Sequence, residues 1–432
     1  MMQRYESYQP SGVKWLGDVP AHWEVRPGFT CFKENKDRNK GLVESTVLSL
    51  SYGRIVIKPE EKLTGLVPES FESYQLIKPG DIVIRTTDLQ NDQTSLRVGY
   101  AKNKGMITSA YLGLRCYPKI NPEYVFRLLE SYDALKVFYG MGSGLRQNID
   151  FWDFKRLPVP LPPRDEQDRI VAFLDQKTTE IDAAISKKEQ LIELLNEQRG
   201  VLIDNAVTRG VMSDVEMRPS NLAGIEFVPA HWQVLQLKRV VETKITDGPH
   251  ETPKFLDEGI SFVSVEAAFD GRIDLEKRRG YIAPKEHARY CQKLKPQRDD
   301  IFFVKSGSTT GKTVIVDFDD EFSVWSPLAL IRPKRDFFKP RFLLSALQSP
   351  YFQRQVQTGW SYGTQPNIGM SDLEKLWVAM PPIGEQVLIL ESLRPRLETI
   401  DETVSLIRRE LAELQHWKNT LIAESVTGKI KV

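Results

Sequence analysis

Apolar residues recur at steps of three and four along two long segments of the chain, which predicts two long amphipathic helices. In the second segment the series reads Leu390, Leu393, Leu397, Ile400, Val404, Ile407, Leu411, Leu414 and Leu421, interrupted by Lys418. The same register 219 residues earlier is apolar at seven of ten positions. Both segments follow a Pro-Pro pair and carry acidic residues in the predicted first turn (Asp165, Glu166, Glu385), as helices commonly begin.

Each of these helices would contain about 40 residues and extend about 60 Å. An apolar stripe of that length needs a partner, and the shared heptad register favours pairing of the two helices with each other. The alternative is that each helix packs independently on its own domain. The residues predicted to pack in the coil are Leu174, Ile181, Ile185, Ile192, Leu195, Leu393, Ile400, Val404, Ile407 and Leu414.

Outside the helical segments, short apolar runs bounded by Gly and Pro predict β-strands. Examples are STVLSLSYGRIVIKP and GDIVIRTTDL in the first half, and DDIFFVKSG and KTVIVDF in the second. One helix ends each set, over residues 121–142 and 339–359. Because the runs do not form parallel βαβ repeats, the pattern predicts two similar mixed α/β domains of the α+β class rather than a doubly wound sheet.

The chain also repeats itself, and the repeat decides how these elements are grouped. VPAHWEV (19–25) returns as VPAHWQV (228–234), and LIDNAVTRGV (202–211) returns as LIAESVTGKI (421–430). QNIDFWDFKRLPVPLPPRDEQ aligns with PNIGMSDLEKLWVAMPPIGEQ 219 residues later. We therefore predict a pseudo-twofold protein. Its segments are a first globular domain (1–157), a central helix (158–210), a second globular domain (211–377) and a C-terminal helix (378–432).

Composition is typical of a soluble protein of two or three domains. The 432 residues are 41% hydrophobic and 27% charged, and no apolar run reaches the roughly 20 residues that span a bilayer. The N-terminus lacks the apolar core of a signal peptide, and three widely spaced cysteines favour a reducing, cytoplasmic location. The net charge of +1 decides nothing about a nucleic-acid partner, so any basic surface has to be local.

Two motifs resemble catalytic signatures but fail on spacing or context. GSTTGKT (307–313) is one residue short of a P-loop and precedes a strand instead of a helix. NPEY resembles the NPPY motif of amino-methyltransferases, but the repeat places Asn121 as a helix N-cap and Pro122 as the first helical residue. The histidines show no metal spacing, and His22 and His231 are predicted packing elements. We expect no catalytic residue, metal or cofactor in this chain.

Polar and aromatic side chains cluster in loops that correspond between the halves but differ in sequence. RTTDLQND corresponds to KSGSTTGK, and GSGLRQNI to GWSYGTQPNI. Arg, Lys, Asn and Gln bond base edges, and Ser, Thr and Gly approach phosphates closely, although ordinary solvated loops have a similar composition. The candidate DNA contacts are Arg85, Thr86, Thr87, Gln90, Asn91, Arg97, Tyr100, Lys102, Ser143, Arg146, Gln147, Lys305, Ser306, Ser308, Thr309, Thr310, Lys312, Trp360, Ser361, Tyr362, Thr364 and Gln365. Among these, Arg97, Arg146 and Gln147 are the first candidates for base contacts.

The paired VPAHW, the NI…PP…EQ entries to the helices and SGSTTGK together resemble the DNA specificity subunit of type I restriction–modification systems. The resemblance covers the whole chain in the family's order. It implies two target-recognition domains, each reading one half of a split, asymmetric site on double-stranded DNA. It also implies that the long helices form an antiparallel coil that sets the gap, with half-sites about one DNA turn apart.

The resemblance further implies a non-catalytic role and the partners of this chain. Methyltransferase (modification) subunits that bind S-adenosylmethionine, and a restriction subunit driven by ATP and magnesium, assemble around such a subunit. Two alternatives stay open at this stage. A solitary methyltransferase or nuclease would need a cofactor loop or a carboxylate cluster, which the sequence does not show. A coiled-coil scaffold that binds protein and not DNA would share the helices but would not read a sequence.

Overall fold

The computed structural model describes residues 3–59, 61, 70–92, 94–141, 148–222, 224–269, 271–362 and 365–432. The chain divides into two units: unit 1 is formed by residues 1–188 and 408–432, and unit 2 by residues 189–407. This division differs from the four predicted segments, because each long helix contributes residues to both units. Within the described ranges, no helix is long and apolar enough to cross a membrane.

Unit 1 contains short strands, two short helices and the first long helix. The strands are β1 (Tyr8–Pro10), β2 (Asp18–Pro20), β3 (Glu24–Pro27), β4 (Phe32–Glu34), β5 (Leu48–Ser51), β6 (Arg54–Ile57), β7 (Gln75–Ile77), β8 (Ile82–Arg85), β9 (Val98–Tyr100), β10 (Gly105–Ile107), β11 (Tyr111–Cys116) and β12 (Pro158–Leu161). The helices are α1 (Pro122–Ala134), α2 (Phe151–Phe154) and α3 (Arg164–Arg209). The last of these, α3, continues into unit 2.

The centre of unit 1 is an antiparallel sheet in the order β4-β11-β8-β9, covered by α1. Tyr124, Leu128 and Tyr132 follow the four-residue spacing of one helix face, and all three are fully buried in the core of this unit. The Asn121 side chain accepts hydrogen bonds from the first turn of α1, so the predicted N-cap is confirmed. This sheet positions the loop that follows β8.

Unit 2 contains a second set of strands and helices, and the second long helix, which continues into unit 1. The strands are β13 (Met217–Leu222), β14 (Ile225–Pro229), β15 (Gln233–Gln236), β16 (Thr246–Asp247), β17 (Ile260–Val263), β18 (Ala268–Phe269), β19 (Arg272–Ile273), β20 (Gly280–Ile282), β21 (Ile301–Val304), β22 (Thr313–Ile315), β23 (Phe322–Val324), β24 (Leu328–Ile331), β25 (Ser361–Tyr362), β26 (Pro366–Asn367) and β27 (Trp377–Met380). The helices are α4 (Leu237–Val240), α5 (Pro284–Cys291), α6 (Pro340–Gln348), α7 (Pro350–Thr358), α8 (Met370–Leu373) and α9 (Ile383–Val426).

The main sheet of unit 2 has the order β16-β24-β21-β22-β19-β18 and packs against α6. Its central strands β21 and β24 are buried at every position, which matches the continuous apolar runs IFFV and LALI. The sheet mixes antiparallel pairs with the parallel pair β19–β22. Unit 2 is therefore a mixed α/β body, like unit 1.

In unit 1 the first part of α3 packs against the last part of α9. Lys188 lies 2.5 Å from Glu410, and Lys418 lies 2.6 Å from Asp182. Residue numbers rise on α3 while they fall on α9, so the two helix segments run antiparallel. Of the predicted coil residues in this unit, Leu174 and Ile181 are buried, whereas Ile185 and Leu414 are partly buried against the same core.

In unit 2 the remaining parts of the two helices pair in the same way. Arg199 lies 3.5 Å from Asp401, and further along α3 the buried Ile203 and Val207 share a core with Ile389. The pairing is again antiparallel. The predicted coil residues Leu393, Ile400, Val404 and Ile407 are buried here, whereas Ile192 and Leu195 are only partly buried.

The repeated PAHW and PP-x-x-EQ motifs meet in each unit, at the start of a long helix. In unit 1, Glu166 Oε1 accepts hydrogen bonds from the Tyr5 hydroxyl at 2.7 Å and from Trp23 Nε1 at 3.1 Å, and Glu166 Oε2 lies 2.8 Å from His22 Nε2. Burial and the hydrogen bond to Glu166 raise the pKa of Tyr5 above its ordinary value. We call this arrangement the glutamate clamp.

Unit 2 contains the same clamp without the tyrosine. Glu385 Oε2 accepts a hydrogen bond from Trp232 Nε1 at 3.0 Å and lies 2.8 Å from His231 Nε2. Glu385 Oε1 is buried and has no hydrogen-bond partner among the described residues. The sequence predicted that the two histidines are packing elements. The structure adds that each lies within hydrogen-bond distance of a buried carboxylate.

The glutamine that follows each clamp glutamate fastens the long helix to a shorter one. Gln167 Oε1 accepts a hydrogen bond from the backbone N–H of Asn121 at 2.8 Å, at the start of α1. Gln386 Oε1 accepts one from the backbone N–H of Lys339 at 2.8 Å, at the start of α6. The repeated motifs thus hold each globular domain to its long helix. Because there are two domains and two long helices, the motifs occur twice.

A buried ion pair also recurs at the base of each sheet. Arg115 donates two hydrogen bonds of 2.7 Å to Asp81, and Arg332 donates two of 2.7 Å to Asp300. Burial raises the pKa of Asp300, and the bonds from Arg332 oppose that rise. Both aspartates also accept a hydrogen bond from the backbone three residues before them, so they shape the turn that leads into β8 and β21.

Candidate nucleic-acid interface

The candidate loops leave equivalent strand ends in the two units. Loop A (residues 86–96) joins β8 to β9, and loop B (residues 305–311) joins β21 to β22. Arg85 N donates to Arg97 O at 2.9 Å across the base of loop A, and Val304 N donates to Lys312 O at 2.8 Å across the base of loop B. Arg97 and Lys312 therefore occupy corresponding positions.

A second segment lies against each loop through the same backbone bond. Ile149 N donates to Thr86 O at 3.0 Å in unit 1, and Ile368 N donates to Lys305 O at 2.9 Å in unit 2. The repeated Asn-Ile pair thus lies against the loop in both units, as the correspondence of the two halves indicates. Each unit carries its loop at a sheet edge, which is how binding loops are commonly carried.

Loop A is built around the side chain of Arg97, which is fully buried. Its guanidinium donates to the carbonyl oxygens of Thr87 at 2.8 Å, Asp88 at 3.1 Å and Asp92 at 2.5 Å, and its Nε donates to the Tyr139 hydroxyl at 3.1 Å. The prediction that Arg97 contacts a base is therefore wrong, because its donors are already used inside the protein. Arg97 instead holds the loop in shape.

Among its described residues, loop A exposes the polar side chains of Gln90, Asn91 and Thr94. Asn91 donates to Asp88 at 2.8 Å. Arg85 is held by Asp92 at 2.9 Å, and hydrogen bonds from Ser95 lower the pKa of Asp92 to about 2. Gln90 and Asn91 are thus the candidates in this loop that face solvent.

Other candidates of unit 1 are placed differently. Thr86 is buried and Thr87 is partly exposed. Tyr100 lies opposite Ile82, at the start of β8, whereas loop A leaves its end, so Tyr100 and the exposed Lys102 lie away from the loop. Burial raises the pKa of Tyr100. The candidates Ser143, Arg146 and Gln147 lie outside the described residues.

Loop B is short and is closed by its own backbone. Gly311 N donates to Val304 O at 2.9 Å and Thr310 N to Gly307 O at 3.1 Å, while the Thr310 hydroxyl donates to Pro366 O at 3.0 Å. These bonds fix loop B against β26. The candidates Ser308, Thr309 and Lys312 are exposed, and Ser306 and Thr310 are partly exposed.

Lys305 is held inside unit 2 by a carboxylate. Its ammonium lies 3.0 Å from Asp247, which Lys293 also contacts at 2.7 Å. Burial raises the pKa of Asp247, but the hydrogen bonds from Lys293 and Lys305 outweigh it and hold that pKa below its ordinary value. Only 16% of the Lys305 side chain is exposed, so Lys305 is less accessible to a ligand than the exposed Lys312.

The second segment of unit 2 contributes fewer described side chains. Trp360 is partly buried against the core, and Gln365 is exposed. Ser361 and Tyr362 form β25, paired with Asn367 and Pro366. The side chains of Ser361 and Tyr362, and Thr364 as a whole, lie outside the part of the structure that is described. No cluster of three or more His, Cys, Asp or Glu that could hold a metal is found among the described residues.

These features define a class: a duplicated protein whose two units share a frame and carry paired loops of different sequence. The chain belongs to the type I restriction modification DNA specificity domain family, whose model matches residues 24–194 and 229–416. Each match covers one globular domain and much of the long helix that follows it. The duplication seen in the structure is thus the duplication of a family domain.

Individual relatives agree with this assignment. The chain is 24% identical to the putative type I restriction enzyme MjaX specificity subunit of Methanocaldococcus jannaschii over 96% of both chains. It is 23% identical to the type I restriction enzyme EcoBI specificity subunit of Escherichia coli over 63% of this chain and 58% of that protein. A solved structure described as the basis of complex assembly and conformational transition of the type I R-M system shares the fold, with a TM-score of 0.64 at 15% identity. The match covers 94% of this chain and 98% of that chain.

Proposed function

We propose that this chain reads a split, asymmetric site on double-stranded DNA, with one recognition domain for each half-site. The observation that carries the proposal is that loops A and B leave equivalent strand ends and are each held by the same backbone bond from the repeated Asn-Ile pair. Because the two sheets hold their loops in the same way, the two domains would contact DNA similarly. Because the loops differ in sequence, the domains would read different bases. The exposed candidates at the loops are the side chains that would reach DNA without rearrangement, namely Gln90, Asn91, Ser308, Thr309, Lys312 and Gln365.

We also propose that the chain performs no chemistry and acts in the cytoplasm as the specificity subunit of a larger complex. Methyltransferase subunits would supply S-adenosylmethionine, and a restriction subunit would supply ATP and magnesium. The long helices would scaffold these partners and set the gap between the half-sites. Family membership and the similarity to type I restriction enzyme specificity subunits support this assignment.

Domain exchange tests the proposal. A hybrid should carry residues 1–157 of a relative that keeps the Pro-Ala-His-Trp motif, so that the glutamate clamp with Glu166 still forms. The host methylome should then show a new first half-site, with the second half-site and the gap unchanged. The reciprocal exchange of residues 211–377 should change only the second half-site.

Two outcomes would contradict the proposal. If both half-sites change after one exchange, the domains do not read independently. If the complex assembles and methylates no split motif, the chain is a protein scaffold instead of a DNA reader. Whole-genome sequencing that detects modified bases distinguishes these outcomes directly.

A further inference from the structure

A β-hairpin next to loop A carries an unusual turn. Strands β5 and β6 pair from Leu48–Ile57 to Ser51–Arg54, which leaves Tyr52 and Gly53 as a two-residue turn. Both have positive φ, 47° at Tyr52 and 73° at Gly53. Turns of this type favour Asn, Asp or Gly at both positions, because a bulky side chain is disfavoured where φ is positive.

An aromatic residue at position 52 is therefore unfavourable for folding, because the backbone there has a positive φ. The Tyr52 side chain lies almost entirely in solvent, since the residue is 91% exposed. A large apolar ring is costly to leave in water, and an unfavourable backbone conformation adds to that cost. Strain of this kind at an exposed position points to a role in binding.

The hairpin turn is adjacent to the candidate loop. A Cβ on Gly53 would lie 3.1 Å from the Leu96 side chain, and Leu96 is the last residue of loop A. Arg54, the next residue in the hairpin, is exposed and makes no ion pair with any described residue. An exposed aromatic and an exposed cation thus lie beside the loop proposed to read DNA.

A hairpin of unit 2 has a similar sequence but lies at a different place on its sheet. The sequences are Tyr-Gly-Arg-Ile in unit 1 and Asp-Gly-Arg-Ile in unit 2. Arg272 follows Gly271, whose φ of 74° is close to the 73° of Gly53. Arg272 is exposed and pairs with Ile315, which lies opposite Ile301 at the start of β21. Loop B leaves the end of β21, so Arg272 lies away from loop B and serves as a control for Arg54.

We propose that the hairpin tip beside loop A is a further DNA-contacting element of the first recognition domain. Arg54 contacts a phosphate, because an exposed cation suits the backbone that every DNA sequence presents. Tyr52 contacts base edges, because it is exposed beside the loop proposed to read them. This inference rests on the proposed function and adds Tyr52 and Arg54 to the residues that carry it.

The replacement Tyr52→Asn tests the tip, because Asn suits the turn and removes the ring. In the full complex with the methyltransferase subunits, its thermal midpoint should equal or exceed that of the parent. The methylated motif should become degenerate at one position of the first half-site, with affinity for a duplex carrying the parent motif lowered about fivefold or more. Tyr52→Phe should retain the motif, and Phe29→Asn, at another exposed aromatic of unit 1, should change neither motif nor affinity.

Arg54 is tested by salt dependence. Arg54→Gln should lower the slope of log K against log salt by about 0.9 and leave the motif intact. Arg272→Gln, at the arginine that lies away from loop B, is the control and should leave the slope unchanged. An unchanged motif and affinity in Tyr52→Asn would overturn the role of the tip, and an unchanged slope in Arg54→Gln would overturn the phosphate contact. If the parent complex itself methylates no split motif, the proposed function fails before the hairpin is examined.

Discussion

Arg97 and Lys312 occupy the same place on the two frames and have opposite surroundings. The backbone oxygen of each accepts the bond that closes its loop, at 2.9 Å and 2.8 Å. Arg97 is fully buried, whereas Lys312 is exposed. A shared frame therefore does not give equivalent side chains the same role.

Loop length explains the difference. Loop A holds eleven residues and turns several of its carbonyl oxygens inward, where burial without a hydrogen-bond donor is costly. A guanidinium offers five donors in a fixed geometry and satisfies these oxygens together. Loop B holds seven residues and satisfies its groups with its own backbone and with Gln353, which donates to Gly311 O at 2.9 Å. The longer loop A therefore depends on a buried side chain, Arg97, to satisfy its carbonyl oxygens, whereas the shorter loop B does not.

The largest expected effect is the loss of stability when Arg97 is replaced. Arg97→Met should destabilise unit 1 by about 3–5 kcal/mol, because it leaves several buried carbonyls of loop A without donors. Lys312→Met, at the corresponding exposed position, should change the stability of unit 2 by less than about 0.5 kcal/mol. Urea unfolding with hydrogen exchange read separately for the two units measures both. Equal losses would show that loop B also depends on its closing residue.

The two glutamate clamps should also differ, by a smaller amount, in how much stability each unit loses when its glutamate is removed. Glu166→Ala leaves the buried Trp23 Nε1 and the Tyr5 hydroxyl without their acceptor, whereas Glu385→Ala leaves only Trp232 Nε1 buried without one. The losses should be about 2–4 kcal/mol in unit 1 and about 1–3 kcal/mol in unit 2.

Asp165→Ala is the control for the clamp. Asp165 is an exposed acidic residue in the same first turn, so this variant removes the favourable charge at the helix N-terminus without touching the clamp. Its loss should stay below about 1 kcal/mol. A loss as large as that of Glu166→Ala would attribute the effect to the helix terminus and not to the clamp. Thermal denaturation of the three variants compares them.

The elements that the sequence predicted well have a regular period or an internal copy. The heptad spacing around Ile181 and Ile400 predicted long helices, and both residues are buried. The Asn121 cap was predicted because the repeat aligns Pro122 with Pro340 at the start of the corresponding helix. These signals are local or repeated, so they can be read without knowing which distant residues meet.

What the sequence could not predict depends on contacts between distant residues. Glu166 looked like an ordinary first-turn acid, since nothing local shows that Trp23 lies against it. Arg97 looked like a reader because a polar loop residue and a buried organiser have the same composition. Tyr-Gly-Arg-Ile and Asp-Gly-Arg-Ile also repeat 218 residues apart, but so short a string does not show where each hairpin lies relative to its loop.

The smallest expected effect distinguishes two lysines beside loop B. Lys312 is exposed, so Lys312→Gln should lower the salt slope of DNA binding by about 0.9 if it contacts one phosphate. Lys305 is 16% exposed and held by Asp247, so its charge is largely compensated before DNA arrives, and Lys305→Gln should change the slope by less than about half as much. Lys375→Gln, at an exposed lysine paired with Asp372, is the control and should leave the slope unchanged. Binding of the full complex to one duplex at several salt concentrations decides the matter. A larger slope change for Lys305 than for Lys312 would mean that Asp247 releases Lys305 on binding, and would make that buried pair part of the DNA interface.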